Sequence, residues 1–174
     1  EADNAYKGGK DAKVVIQFWS DYQCPFCKRV EPTVTEIEKE YGNKVKIVWR
    51  DLPLPFHQEA PGAAQAAREA YAQKGNAGFW KFHGKLFEAS GSPDGLKRPG
   101  LDKIAEELGL DMAKFKAAMD SGKHKARVEK DAEVANKAGV SGTPSFVING
   151  YYISGAQPIS AFKKVINRAM KEVK

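Results

Sequence analysis

The chain has 174 residues, 42% of them hydrophobic, with a formal net charge of +6 and two cysteines. That size fits one compact unit, or one unit with a sizeable insertion, and enough apolar residues for a core without disulfide staples. Two cysteines exclude a disulfide scaffold, scattered lysines alternating with Glu and Asp argue against a nucleic-acid partner, and no apolar run approaches the roughly 18 residues of a membrane span.

Residues 1–12 are polar and broken by Gly8-Gly9, and are expected to be an exposed lead-in. Any signal or anchor segment is expected to have been removed ahead of Glu1. Residues 14–19, Val-Val-Ile-Gln-Phe-Trp, are nearly continuous in apolar character and predict a strand buried on both faces. A helix is predicted over residues 25–41, where Cys27, Val30, Val34, Ile37 and Tyr41 step by three and four along one stripe. Pro32 lies inside it and should kink it, and Gly42-Asn43 should end it. Residues 44–51 read as a second strand. Strand, helix, strand at this spacing predicts a right-handed crossover with parallel strands. The loop Leu52-Pro53-Leu54-Pro55-Phe56-His57 then emerges on the same sheet edge as Cys24.

A helical region follows. Residues 58–74 are alanine-rich, with Pro61 tolerable in a first turn. Residues 77–89 carry Phe79, Phe82, His83, Leu86 and Phe87 on one stripe. A loop is expected over residues 90–100, then a short helix marked by Leu101, Ile104, Ala105 and Leu108. Asp111 is expected to cap another helix, and residues 123–138 read as a further helix, mostly polar with alanines inward. A strand at 145–148, an Asn149-Gly150 turn and a strand at 151–153 form a predicted hairpin. A last helix buries Phe162, Val165, Ile166, Ala169 and Met170.

Both cysteines fall in Phe-Trp-Ser-Asp-Tyr-Gln-Cys-Pro-Phe-Cys, residues 18–27. Cys24 sits where strand turns into helix, and Cys27 one turn further on the same face. Unpaired N–H groups and the dipole at a helix start favour a thiolate over a thiol. A cysteine so placed has its pKa lowered from about 8.5 to somewhere around 3.5–7.5, which makes it a nucleophile and a good leaving group in disulfide exchange. The rival reading is a zinc half-site, but no second C-x-x-C or H-x-x-x-H supplies the remaining ligands. A purely structural disulfide across so short a loop would constrain little of the unfolded chain. No metal is expected.

The order of elements, with C-x-x-C at the first strand-to-helix junction, resembles the thioredoxin fold. Pro32 resembles the kink proline of the thioredoxin active-site helix, and Thr143-Pro144 resembles the cis-proline loop that packs against the CxxC. The helical block and the stretches FWSDYQCPFC, LPLPFH and GVSGTPSFVING resemble the DsbA-like branch, over residues 13–172. The resemblance implies an α/β fold with residues 13–57 and 122–174 as a thioredoxin-like domain and 58–121 as an inserted helical domain. It implies a thiol–disulfide oxidoreductase in which Cys24 is the exposed nucleophile and Cys27 the resolving thiol. Pro144 and Thr143 then contact substrate backbone, with Pro25, Phe26 and His57 nearby. It further implies cysteine-containing protein substrates, a separate redox partner, an exported or periplasmic location, a monomer, and no bound cofactor. Members of the branch often carry a glutamate on the first strand beneath the buried cysteine. Here Gln17 and Phe18 occupy that neighbourhood, and a glutamine cannot shuttle a proton. Phe26 stands where strongly oxidising relatives have histidine, so a less extreme oxidant is expected.

Several residues have a bland reading beside the functional one. His57 is read either as a substrate-loop or proton-transfer residue or as a polar loop or cap group. His83 is expected in the core, and His124 on a solvated helix. Asp21 and Tyr22 either tune Cys24 or serve as turn and packing residues; Asp21 alone would disfavour a thiolate. Tyr151, Tyr152, Phe26 and Phe56 form either an apolar rim or ordinary core. A disulfide reductase or isomerase shares the chemistry, and a redox-inert polypeptide-binding module shares the groove. A glutathione-transferase type would want a different helical domain.

Overall fold

Two seven-residue strands occupy the centre of the sheet in the computed structural model, which describes residues 3–174. Val14–Ser20 (β2) and Val45–Asp51 (β3) run parallel, in register from Val14 beside Val45 to Ser20 beside Asp51. Pro25–Tyr41 (α1) joins them, and its buried residues are the five of the predicted stripe. The crossover therefore brings the ends of both strands, and the start of α1, to one edge of the sheet.

Ser145–Ile148 (β4) pairs antiparallel with β2, and Tyr151–Ser154 (β5) with β4. Asn149 and Gly150 both have positive φ, 44° and 90°, as a two-residue hairpin turn of the primed kind requires. The last helix, Ile159–Glu172 (α6), packs on the same sheet face as α1, with Phe162 against Phe146. Lys125–Lys137 (α5) covers the opposite face, where Trp19, Ala135 and Val140 form a smaller apolar cluster.

The exposed lead-in expected over residues 1–12 is corrected by the structure. Tyr6–Gly8 (β1) pairs antiparallel with β3, giving the order β1-β3-β2-β4-β5. Asn4 and Ala5 are buried, and the Trp49 N–H donates to the Ala5 carbonyl at 3.0 Å. The physical reason is the edge of β3, whose backbone groups need a partner that no other strand supplies. Residues 1–2 of the expected lead-in lie outside the described residues.

Ala60–Ala89 (α2) joins the two helices expected at 58–74 and 77–89, with Gly75 at φ 67°, ψ −157° breaking the helical backbone between them. Only glycine adopts that conformation without steric cost. Arg98–Glu107 (α3) begins with Pro99 in its first turn, inside what reads from sequence as loop. Met112–Ser121 (α4) is capped as expected, with Asp111 accepting from the Lys114 N–H at 3.1 Å. One apolar cluster runs without interruption from Phe18 and Cys27 through Trp49 and Phe79 to Phe115. The helical block and the sheet share this core. Among the described residues no helix is long and apolar enough to cross a membrane.

The polar side of α5 is not solvated throughout. Asp131 is fully buried and accepts from Arg50 at 2.9 Å, Arg127 at 3.0 Å, Arg68 at 3.3 Å and the Asp51 N–H at 3.1 Å. Asn4 reaches the same carboxylate at 3.3 Å. Burial alone would push the Asp131 carboxyl up, but the Asp51 N–H and the Arg68 and Arg127 charges outweigh it and hold it low. Burial and the Asp131 charge push the neighbouring Asp51 up to about 7, against the pull of Arg68. His124, expected to be solvated, instead bonds the buried Glu69 at 2.9 Å from just ahead of α5. Removing one member of a buried charged set leaves the others uncompensated. Asp131→Ala should therefore cost about 3–5 kcal/mol, read from the urea midpoint; a loss under about 1 kcal/mol would show that the arginines find other partners.

Candidate active site

The first turn of α1 determines the chemistry of Cys24. Cys24 is the residue flanking the helix, with φ −75° and ψ 120°, and no side chain caps the helix start. Pro25, the first helical residue, has no N–H. No acidic residue lies in that turn to compete for the remaining donors. The Phe26 N–H is thus left to the Cys24 sulfur, and the Cys27 N–H also faces it while donating to the Cys24 carbonyl at 3.1 Å; both lower its pKa.

Both cysteines are free thiols. The hydrogen bond from the Cys27 thiol is the largest influence on Cys24. Together with the Thr143 hydroxyl and the two N–H groups it overcomes burial and brings the Cys24 pKa down to about 5. Burial and the same thiol–thiolate bond push Cys27 far up, so it stays protonated. Among the described residues the Ser20 and Thr143 hydroxyls have no hydrogen-bond partner of their own, and both favour the Cys27 anion. The pair is asymmetric by design of its surroundings: one anion stabilised by donors, one proton held by burial.

The expectation of an exposed Cys24 is corrected. Its relative exposure is 5%, against 0% for Cys27. The Thr143–Pro144 segment lies over the sulfur, with the Thr143 carbonyl 3.7 Å from it, so only an edge of Cys24 meets solvent. As a thiol Cys24 can donate to that carbonyl; as a thiolate it cannot, and the hydroxyl of the same residue then becomes the useful partner. The Thr143–Pro144 peptide bond is cis.

Gln17 does not lie beneath Cys27. Side chains alternate along a strand, and Ile16 and Phe18 belong to the core that holds Cys27, whereas Trp19 belongs to the α5 side. Gln17 shares that second face and accepts from Arg50 Nε at 2.9 Å. Phe18 fills the space under the motif, stacked on Phe146 at 4.6 Å and edge-on to Trp49 at 5.2 Å. The polar group from β2 that reaches Cys27 is Ser20. Reading from sequence missed it; two-residue alternation counted from Phe18 was the available signal.

The three residues ahead of Cys24 each reach a different element. Asp21 is buried and accepts from the Gln23 N–H, the Leu54 N–H and His57 Nδ1, at 2.7, 2.7 and 2.8 Å. His57 is thereby fixed in its loop by Asp21. Tyr22 is buried against Trp49 and Phe87. The Gln23 side-chain oxygen accepts from the Glu59 and Ala60 N–H groups at 2.6 and 2.8 Å, at the start of α2.

Of the aromatic rim, Phe26, Phe56 and Tyr152 are exposed at 53, 73 and 50%. The Tyr152 hydroxyl lies 3.2 Å from Ser145 Oγ, next to Pro144. Tyr151 is not with them: it faces α6, donating to Glu172. No group of three or more metal-ligating side chains occurs among the described residues.

The sulfur pair makes a pH prediction. Cys24 has a folded pKa near 5 and an unfolded value near 8.5. A depressed folded pKa adds stability above the unfolded value and loses it as pH falls through the folded one. The reduced protein should therefore gain stability over Cys24→Ser as pH rises from about 5 to about 8.5. Its alkylation rate at Cys24 should titrate near 5, with Cys27 unreactive until unfolding. A rate midpoint near 8.5, as for an ordinary thiol, would contradict this.

The family model described as thioredoxin matches residues 2–168. Among solved structures, oxidised BdbD from Bacillus subtilis superposes with a TM-score of 0.85 at 27% identity, covering 98% of this chain and 94% of that one. A thioredoxin-like oxidoreductase from Silicibacter pomeroyi gives 0.81 at 26% identity, over 98% and 94%. The catalytic domain of Proteus mirabilis ScsC gives 0.79 at 26%, over 98% and 91%. The chain is also 34% identical over 167 residues to a protein named Na(+)/H(+) antiporter NhaA 3 from Salinispora tropica. That match covers 94% of this chain but only 24% of the relative, and a Mycolicibacterium vanbaalenii relative of similar name matches over 23% of its length. The chain thus spans about a quarter of the curated relatives it matches. With a thioredoxin match over nearly its whole length and an asymmetric C-x-x-C pair at the start of α1, the chain belongs to the DsbA-like thiol–disulfide oxidoreductases of the thioredoxin-fold superfamily.

Proposed function

We propose that the chain passes a Cys24–Cys27 disulfide to thiols of exported proteins and is reoxidised by a separate redox partner. The observation that carries this reading is the asymmetry of the pair. A substrate thiolate can approach only Cys24, because Cys27 is wholly buried. It attacks the Cys24 sulfur, forms a mixed disulfide and breaks the Cys24–Cys27 bond. Cys27 leaves and is protonated, as its burial favours. A second substrate thiolate then attacks the substrate sulfur of the mixed disulfide and expels Cys24. Cys24 departs as a stabilised thiolate. Two substrate thiols have lost two electrons to the motif. One of their protons is on Cys27 and the other has gone to solvent. A low leaving-group pKa speeds that second step, and stabilising the reduced pair makes the disulfide a better oxidant.

Substrate binding is proposed for the surface around Cys24. The backbone at Thr143 and Pro144 contacts an extended segment, while Pro25 and Phe26 form the opposite wall. Phe56 and Tyr152 supply apolar contact with little sequence preference. His57 holds the Phe56 loop, with the two rings 4.6 Å apart. A cleft of about 330 Å³ beside Gln23 and Glu59 extends the surface toward Ser90 and Ser92. No cofactor takes part.

Cys27→Ser removes the resolving thiol; with Cys24 first converted to its mixed disulfide with 2-nitro-5-thiobenzoate, it should lose that group as the coloured thiolate to a thiol of a reduced, unfolded protein such as ribonuclease and stay trapped as the mixed disulfide with that protein. Cys24→Ser should trap none, and oxidised wild type should restore disulfides to the same substrate. Trapping through Cys27 instead, or no transfer by the oxidised wild type, would overturn this reading.

A further inference from the structure

His83 is 3% exposed, enclosed by Trp49, Trp80, Phe87 and Tyr22 at ring separations of 4.6, 4.9, 5.1 and 5.4 Å. An imidazole in such a box is unfavourable unless its nitrogens are bonded, and here both are. Nδ1 lies 2.9 Å from the Tyr22 hydroxyl, and Nε2 bonds Glu31 Oε1. A carboxylate can only accept, so Nε2 carries a proton, and in the neutral ring Nδ1 accepts from the Tyr22 O–H. Burial, with the Asp51 and Glu31 charges, keeps Tyr22 protonated and so a donor. The chain of bonds thus runs from Tyr22 through His83 to Glu31.

Its two ends fall on either side of the motif. Tyr22 lies two residues before Cys24, and Glu31 one helical turn beyond Cys27, on the face of α1 turned to the core. His83 belongs to α2, whose stripe is locked by Phe79, Phe82 and Leu86. The covalent stretch from 22 to 31 is therefore closed into a ring by a side chain from another element. The second Glu31 oxygen is buried without a donor. That is unfavourable for helix packing alone, and it argues that Glu31 is there for the bond it makes.

We infer that His83, bonded between Tyr22 and Glu31, is a positioning residue that holds the lead-in to Cys24 against the second turn of α1, keeping the Phe26 and Cys27 N–H groups aimed at the Cys24 sulfur. The inference rests on the reading of Cys24 as the attacked sulfur and says what keeps it competent. It acts through geometry and not through the Glu31 charge.

Geometry and charge predict opposite signs. Tyr22→Phe removes one hydroxyl, keeps the ring, and alters no charge. Glu31→Ala breaks the other end and also removes a negative charge, which acting through space would lower a nearby thiol pKa. Positioning predicts that both substitutions raise the Cys24 pKa, by about one unit, measured as thiolate absorbance against pH. Both should shift the equilibrium with glutathione by about tenfold toward the disulfide form, since one pKa unit is a tenfold change in the competing equilibrium. The double variant should exceed the larger single effect by little, because one break already opens the chain. His83→Phe should do the same where it folds; Tyr22→Phe decides the matter where it does not. A lowered melting temperature with pKa and equilibrium unmoved in Tyr22→Phe, or a lowered pKa in Glu31→Ala, would overturn the inference. Wild type that fails to exchange with glutathione at all would instead overturn the proposed function.

Discussion

Cys24 sits at the end of a helix whose first residue has no N–H to give, and the next two N–H groups have no capping side chain to satisfy. The Cys27 N–H shares itself with the Cys24 carbonyl at 3.1 Å, and both face the Cys24 sulfur. Beneath it lies a second thiol that burial keeps protonated and therefore able to donate. Neither condition is chemically unusual alone. Combined, they turn an ordinary thiol into an anion at neutral pH, with hydrogen-bond donors as the leading causes, and Phe26 supplies no charge. The rest of the molecule serves to keep those few donors in place.

Three levels of structure do so. The parallel β2–β3 pair brings Ser20 and Asp51 side by side at the sheet edge. The buried Asp131 ties the end of β3 to α2, α5 and Asn4 through three arginines, so the edge cannot splay without stranding charge. Asp21, Tyr22 and Gln23 then fasten the last residues before Cys24 to the 52–57 loop, to His83 and to the start of α2. The helical block is thereby part of the active site's support, though it offers no group to the sulfur itself. The side chains of Phe26, Phe56 and Tyr152 remain exposed around this fastening.

What was legible in the sequence was local. The stripe of α1, the apolar run of β2 and the Asn149-Gly150 turn declare themselves within a few residues, and so does the position of Cys24 at a helix start. The hidden features join distant residues. Asn4 and Asp131 are 127 positions apart, and nothing in a polar lead-in announces that it will cover a strand edge. Asp131 sits on a helix that reads as mostly polar with alanines inward; only Arg50 and Arg68 from other elements, with Arg127 one turn earlier on its own helix, make its burial tolerable. His83 was legible as a core residue from its aromatic neighbours, but its two partners lie 61 and 52 positions away. Gln17 was misplaced for a smaller reason. One residue of register along a strand moves a side chain to the other face, so Ser20, not Gln17, is the β2 polar group at Cys27.

The account makes the Cys24 thiolate the source of oxidising power, and that is most directly tested by the Cys24–Cys27 equilibrium against a glutathione series, read by thiol alkylation. A stabilised reduced pair predicts a potential toward the oxidising end, roughly −120 to −180 mV. A value of about −250 mV or lower would contradict it, and would mean that the reduced pair gains too little from its donors to drive disulfide formation in another protein.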